Sequence, residues 1–175
     1  AYRNKIRNKI VAYPKGQQFR WTMLNLGQVA VTGIDASVQL RVRPWRRITM
    51  DLSGRYSYQK AIDTTNPEDG YYRHQIPYIP LHSGTITASV GYKDWLFAYN
   101  MQCVGARYCR QENIFVNYVP LWHTHDLSLS YDFSFNRSRM RLLAEVKNIL
   151  NQSYEVIANY PMPGRNYRIS IRVSI

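Results

Sequence analysis

Two histidines one residue apart, in His123-Thr124-His125-Asp126, are the residues in this chain best placed to hold a metal ion. On a strand, residues two apart share a face. Zinc needs three or four such ligands, and no third lies nearby in sequence, so no metal site is expected. A second group mixes aromatic surface with positive charge: Tyr71, Tyr72, Arg73 and His74, then Arg107, Tyr108 and Arg110. Stacking and charge-assisted hydrogen bonds from such residues can grip a flat or anionic ligand. Both runs fall in polar stretches between ordered segments, where binding residues concentrate. Cys103 and Cys109 could form one bridge or remain thiols. There is no phosphate-cradling glycine loop, nucleophile elbow or metalloprotease helix. The sequence therefore predicts a binding protein without catalytic residues or cofactor.

What must position those residues is read from alternation. The last residues, Arg165 to Ile175, place Tyr167, Ile169, Ile171, Val173 and Ile175 alternately with Asn166, Arg168, Ser170, Arg172 and Ser174. A period of two is a strand with one apolar face and one polar face. Reading the whole chain this way gives roughly eight strands. They begin with a weak one, Tyr2 to Tyr13. Clearer ones follow at Val29 to Val42, Ile48 to Tyr58, about Thr85 to Tyr92, Trp95 to Val104, about Asp126 to Phe133 and Met140 to Asn148, and the C-terminal strand is the eighth. Short connections near Pro44, Asp94 and Arg137 alternate with long ones around Gly16, Asp69, Asn113 and Tyr160. That is how outer-membrane barrels distribute periplasmic turns and extracellular loops.

The predicted fold is therefore all-β, an antiparallel transmembrane barrel wall. No window supplies the roughly 20 apolar residues of a spanning helix, and a mean hydropathy of -0.42 is expected when half of each strand faces a lumen. The assignment predicts aromatic girdles at both edges of the apolar band. Trp45 and Trp95 adjoin short turns, Trp21 and Trp122 long loops. Lumen charges, namely Asp35, Arg41, Asp51, Arg55, Glu145, Lys147, Arg168 and Arg172, are expected to pair across neighbouring strands. The net charge of +12 is spread over faces and loops rather than gathered on a basic helix, which argues against nucleic acid. Lipopolysaccharide, a partner or acidic residues elsewhere could balance it. The first residues, AYRNKIRNKI, are basic but lack the apolar run of a secretory signal.

The segment AEVKNILNQSYEVIANYPMPGRNYRISIRVSI, Ala144 to Ile175, resembles the end of TonB-dependent outer-membrane receptors, and NLGQVAVTGIDASVQL, Asn25 to Leu40, is similar to a recurrent strand of the same family. Within the first, Tyr160, Pro161, Pro163, Gly164 and Arg165 form the barrel-closing motif. The prolines stiffen the connection and Gly164 gives it freedom to turn. The family usually ends in an aromatic residue, whereas this chain ends in Ile175. The resemblance implies that residues 1–175 are the C-terminal portion of a barrel of about 22 strands, without the plug domain. It implies TonB-dependent uptake of a scarce bulky nutrient, siderophore-iron, haem or cobalamin, in the outer membrane. The implied partners are the rest of the receptor, TonB acting through the plug, the barrel assembly machinery, outer-membrane lipid and a surface lipoprotein. An autonomous eight-stranded barrel is the alternative.

Overall fold

Residues that alternate in polarity for ten positions or more bury one face only as strands, and the strands here pair with their neighbours in chain order. The computed structural model describes residues 1–15, 20–136 and 138–174, with the backbone alone at 13–15, 20–22 and 24. The strands are β1 (Tyr2–Lys15), β2 (Arg20–Trp45), β3 (Ile48–Asp63), β4 (His82–Tyr92), β5 (Trp95–Val104), β6 (Arg107–Tyr108), β7 (Tyr118–Val119), β8 (Trp122–Phe135), β9 (Ser138–Lys147), β10 (Glu155–Ile157), β11 (Tyr160–Pro161) and β12 (Asn166–Ser174). Eight of them form one sheet in the order β1-β2-β3-β4-β5-β8-β9-β12. Every pairing in it is antiparallel. β1 and β12 lie at opposite edges and do not pair, so the sheet is a wall and not a closed barrel.

Tight connections at one end rest on positive φ, at Lys93 (53°) between β4 and β5 and at Asn136 (44°) between β8 and β9. At the other end the pairing is staggered. β3 pairs with β2 out to Asp63 but with β4 only to Tyr58, and β8 meets β5 at Trp122 but β9 only from Leu127. Stagger of this kind accompanies the tilt of barrel strands.

The register sorts the side chains. One row runs Leu40, Leu52, Ala88, Tyr99, Leu127, Val146 and Tyr167 across seven strands, and parallel rows add Val42, Met50, Val90, Phe97, Leu129, Ala144 and Ile169. This apolar face is largely exposed. The opposite face carries Asp35 bonded to Ser57, and the pairs Arg41–Asp51, Arg141–Asp132 and Arg168–Glu145. Pairing across strands was expected for Arg41, Asp51, Glu145 and Arg168. Arg55, Lys147 and Arg172 on the same face make no ion pair among the described residues.

The well-buried core lies elsewhere, toward the long-loop end. Leu26, Val29, Val31 and Ala61 pack with Ile76 of the β3–β4 loop, with Tyr2 and Ile6 of β1 against them. Val29, Val31, Ala61, Tyr2 and Ile6 all belong to the polar-face side of the register. Beyond Gly33, therefore, the two faces exchange character. A Cβ at Gly33 would run into the Tyr2 ring and the Tyr58 carbonyl, so glycine permits the close approach where the exchange occurs. β2 starts at Arg20, earlier than alternation indicated, because Arg20–Gln28 extends this hairpin beyond the alternating part of the strand.

Candidate functional site

The three long connections between β3 and β12 fold onto one another at the same end of the sheet. The first, between β3 and β4, holds the second, between β5 and β8, through Tyr78 N–H to the Tyr108 carbonyl (2.8 Å). Asn113 reinforces this, accepting from Gln75 N–H (2.8 Å) and donating back to the Gln75 carbonyl (3.1 Å). The third, between β9 and β12, is held by Arg107, whose Nη2 donates to the carbonyls of Glu155 (3.0 Å) and Val156 (2.6 Å). Tyr78 closes the set, its hydroxyl accepting from Ala158 N–H at 3.4 Å.

The expected ligand residues divide accordingly. Arg107 is 4% exposed and holds loop to loop. Tyr71 donates to Glu112 (3.3 Å), and His74 Nδ1 lies 3.1 Å from the Gln111 carbonyl, so both brace the second loop. Tyr108 packs edge-on against Tyr118, and Tyr72 is half-buried. Arg73, at φ 65°, and Arg110 present exposed charge. Sequence reasoning missed the apex of the second loop, where a 3-10 turn over Phe115–Asn117 leaves Phe115 90% and Val116 84% exposed. Three consecutive apolar residues, Ile114-Phe115-Val116, in a polar stretch were the available signal. A cleft of about 210 Å³ opens between the second and third loops, lined by Arg110, Tyr118, Glu155 and Asn159 among others.

Burial pushes the Tyr78 phenol above its ordinary value, and the Ala158 N–H opposes this only in part. A raised folded-state pKa means that stabilisation by the neutral phenol is full below the ordinary pKa of about 10 and is lost as pH climbs through the raised value. Protease protection of the loops is therefore expected to fall at strongly alkaline pH, with Tyr78→Phe removing that step; proteolysis across pH checks it. Burial likewise keeps the Cys109 thiol protonated beyond its usual range. Cys103 and Cys109 are both free.

The tryptophans do not behave alike. Trp45 and Trp95 stand exposed, Trp95 against Tyr131 at 4.5 Å. Trp122 departs from the expected girdle. It is only 6% exposed, lies on the polar-face side in register with Val104, and packs on Tyr154 of the third loop at 4.7 Å. Adjacent to a loop in sequence, it is one residue out of phase with His123 and His125, which do lie on the apolar face. The Trp21 side chain, the loop around Gly16, Arg137 and Ile175 lie outside the described residues. His123 Nδ1 and His125 Nε2 are 3.1 Å apart. Among the described residues no group of three His, Cys, Asp or Glu side chains converges to hold a metal. In the closing motif, Gly164 approaches Asn151, whose side-chain oxygen accepts from Arg165 N–H (2.8 Å), fixing the direction in which β12 starts.

An open antiparallel wall with one apolar face, one charged face and interlocked loops at one end defines a segment of a large β-barrel. The chain belongs to the TonB-dependent receptor-like β-barrel family, whose model matches residues 1–149. Proteins of this family are outer-membrane transport receptors. Similar folds include the ferric preacinetobactin receptor BauA of Acinetobacter baumannii (17% identity, TM-score 0.68, 94% of this chain and 25% of that one). They also include the siderophore receptor PiuA of the same organism (18%, 0.69, 97% and 24%). A third is the ferric-catecholate import receptor Fiu of E. coli K12 (18%, 0.69, 97% and 24%). The chain thus spans about a quarter of the length of these receptors.

Proposed function

We propose that this chain is the C-terminal part of the barrel of an outer-membrane receptor for TonB-dependent uptake of a ferric siderophore. The observation that carries the reading is the open wall: eight strands with unpaired edges at β1 and β12, matching a quarter of receptors three times longer or more. Further strands would complete the barrel, and a plug would contact TonB. The last strand would be presented to the assembly machinery. Siderophore is preferred to haem or cobalamin because the similar folds are named for ferric siderophores. Arg73, Arg110 and the Phe115 apex would meet the ligand first, an exposed aromatic and two cations suiting an iron-loaded, often anionic chelate.

Uptake of radiolabelled ferric siderophores, haem and cobalamin by cells with and without the full-length receptor tests this. Siderophore uptake that requires both receptor and proton gradient is expected, and it should fall when residues 110–118 are replaced by a short glycine-serine linker. Uptake of haem or cobalamin alone would overturn the substrate class. Receptor-dependent uptake that persists without the gradient would overturn the coupling.

A further inference from the structure

We propose that the interior of the loop cluster binds one small inorganic anion of halide size, held by Nη1 of Arg107 and Nε1 of Trp122. Among the described residues these are the two buried side-chain polar atoms without a hydrogen-bond partner. Both side chains are more than nine-tenths buried, Arg107 at 4% exposure and Trp122 at 6%. Other buried polar side chains of the cluster are used. Asn117 donates to the Glu112 carbonyl (3.0 Å), and Asn148 donates to the Gln152 carbonyl (2.8 Å) and accepts from Gln152 N–H (2.9 Å). Two orphaned donors beside groups so well satisfied point to an acceptor that they share. The fold brings them to one place. Trp122 is in register with Val104 and Arg107 with Val119, so each lies three residues along the chain from the other's partner. They also grip the same piece of the third loop, Trp122 through its ring on Tyr154 (4.7 Å) and Arg107 through Nη2 on the carbonyls of Glu155 and Val156.

The occupant must carry negative charge. An arginine cannot shed its proton to escape burial as a lysine can, and a buried charge without a counter-charge is costly. The three ion pairs among the described residues all lie on the strands of the wall, so none includes Arg107. Tyr78 is the titratable group that acts on it, and burial keeps that phenol neutral. Burial likewise keeps the Cys109 thiol protonated. The carboxylates nearest in the loops serve elsewhere, Glu155 accepting from Asn159 N–H (2.7 Å) and Glu112 from the Tyr71 hydroxyl (3.3 Å). The two carbonyls on Nη2 supply dipoles and no charge. A water on Nη1 would satisfy the donor and leave the charge unbalanced.

The occupant must also be small. Both orphaned atoms are withdrawn from solvent, and the cleft of about 210 Å³ reaches Cys109 and Arg110 without being lined by Arg107. A chelate can meet Arg110 and Phe115 but not this interior. A halide carries one charge, matching one guanidinium, and accepts from donors in any direction. Bound there, it ties Arg107 at the root of the second loop to Trp122 at the start of β8, around the segment of the third loop that both of them hold. The site is therefore separate from the cargo site and would fasten the loops whatever the cargo.

The test uses the full-length receptor, purified in detergent and exchanged at constant pH and ionic strength into chloride, bromide or gluconate. Hydrogen exchange of residues 154–158 is followed in each, and crystals grown in bromide are examined by anomalous diffraction. Opening of 154–158 is expected to be rarer in either halide than in gluconate, falling about tenfold for each tenfold rise in halide once the site is mostly filled. A bromide peak is expected within hydrogen-bonding distance of both Arg107 Nη1 and Trp122 Nε1. Trp122→Phe keeps a ring against Tyr154 and removes one donor, so it should raise the halide concentration required by about tenfold, at the usual worth of a hydrogen bond to a charged group. Arg107→Met should abolish the halide dependence. Because that change also loosens the third loop directly, Trp122→Phe is the variant that separates anion binding from loop packing. Equal exchange in all three salts would overturn the proposal, as would an unchanged halide dependence in Trp122→Phe. So would a carboxylate from the rest of the receptor, or a water, found against Nη1. A bromide peak with no effect on exchange would mean an adventitious ion only, and would overturn it as well.

Discussion

Leu52→Arg is expected to cost about 2–4 kcal/mol of barrel stability and to cut the amount of assembled receptor sharply, whereas Ser53→Arg, one residue on, leaves assembly near normal. Leu52 sits midway along the apolar stretch of β3, from Ile48 to Tyr56, between Leu40 and Ala88, on the face that carries only apolar and aromatic neighbours at that level. An arginine there meets the bilayer midplane, where desolvation of the charge is not repaid. Ser53 points the other way, between Gln39 and Thr87, into the face that already holds Arg41, Asp51 and Arg55. Folding into liposomes followed by denaturant titration gives the difference directly. A soluble two-faced sheet would give a different order, because neither face would then be bounded by hydrocarbon.

This contrast was legible in the sequence because a period of two is self-correcting. Each of Ile48, Met50 and Leu52 fixes the phase of the others, and pairing carries that phase to the next strand. β5 is observed at the range read from alternation, Trp95–Val104. The reading weakened where the physics changes. In β1 the apolar positions Tyr2 and Ile6 face the loop core and the cations face outward, the reverse of the membrane rule, and Asn8 at φ 54° breaks the run. β2, which obeys the soluble rule before Gly33 and the membrane rule after it, has no single alternation to find. Trp122 failed for a related reason: proximity to a loop says which end of the strand a residue occupies, while its face depends on phase, and Trp122 is out of phase with Leu127.

The loop cluster was legible only as composition. Tyrosine and arginine in polar stretches marked the right segments, yet which of those side chains are spent on one another depends on contacts across long sequence separations, such as Gln75 with Asn113 and Arg107 with Val156. No local rule encodes those pairs. The short β6–β7 and β10–β11 ladders are likewise too brief for alternation to register.

Arg107→Met is expected to free the third loop and Arg110→Ala to leave it in place, although the two arginines looked equivalent in sequence. The Arg107 guanidinium is withdrawn from solvent, and burial lowers its pKa while the nearby Tyr78 opposes that shift. Its desolvation is offset in part by two hydrogen bonds from Nη2 to backbone carbonyls. Hydrogen bonds from a charged donor are worth about 1.5–3 kcal/mol each, so their joint loss is about 3 kcal/mol even after relaxation, and the carbonyls of Glu155 and Val156 must then find water. Opening of the segment 154–158 should become about a hundredfold more frequent in hydrogen exchange of the full-length receptor, with the strands unaffected. Arg110 is exposed and makes no comparable bond among the described residues. Its loss should leave exchange unchanged and weaken only the capture of an anionic ligand. If Arg107→Met left exchange at 154–158 unchanged, the guanidinium would not be what binds the second loop to the third, and the cleft beside Arg110 would need another source of rigidity.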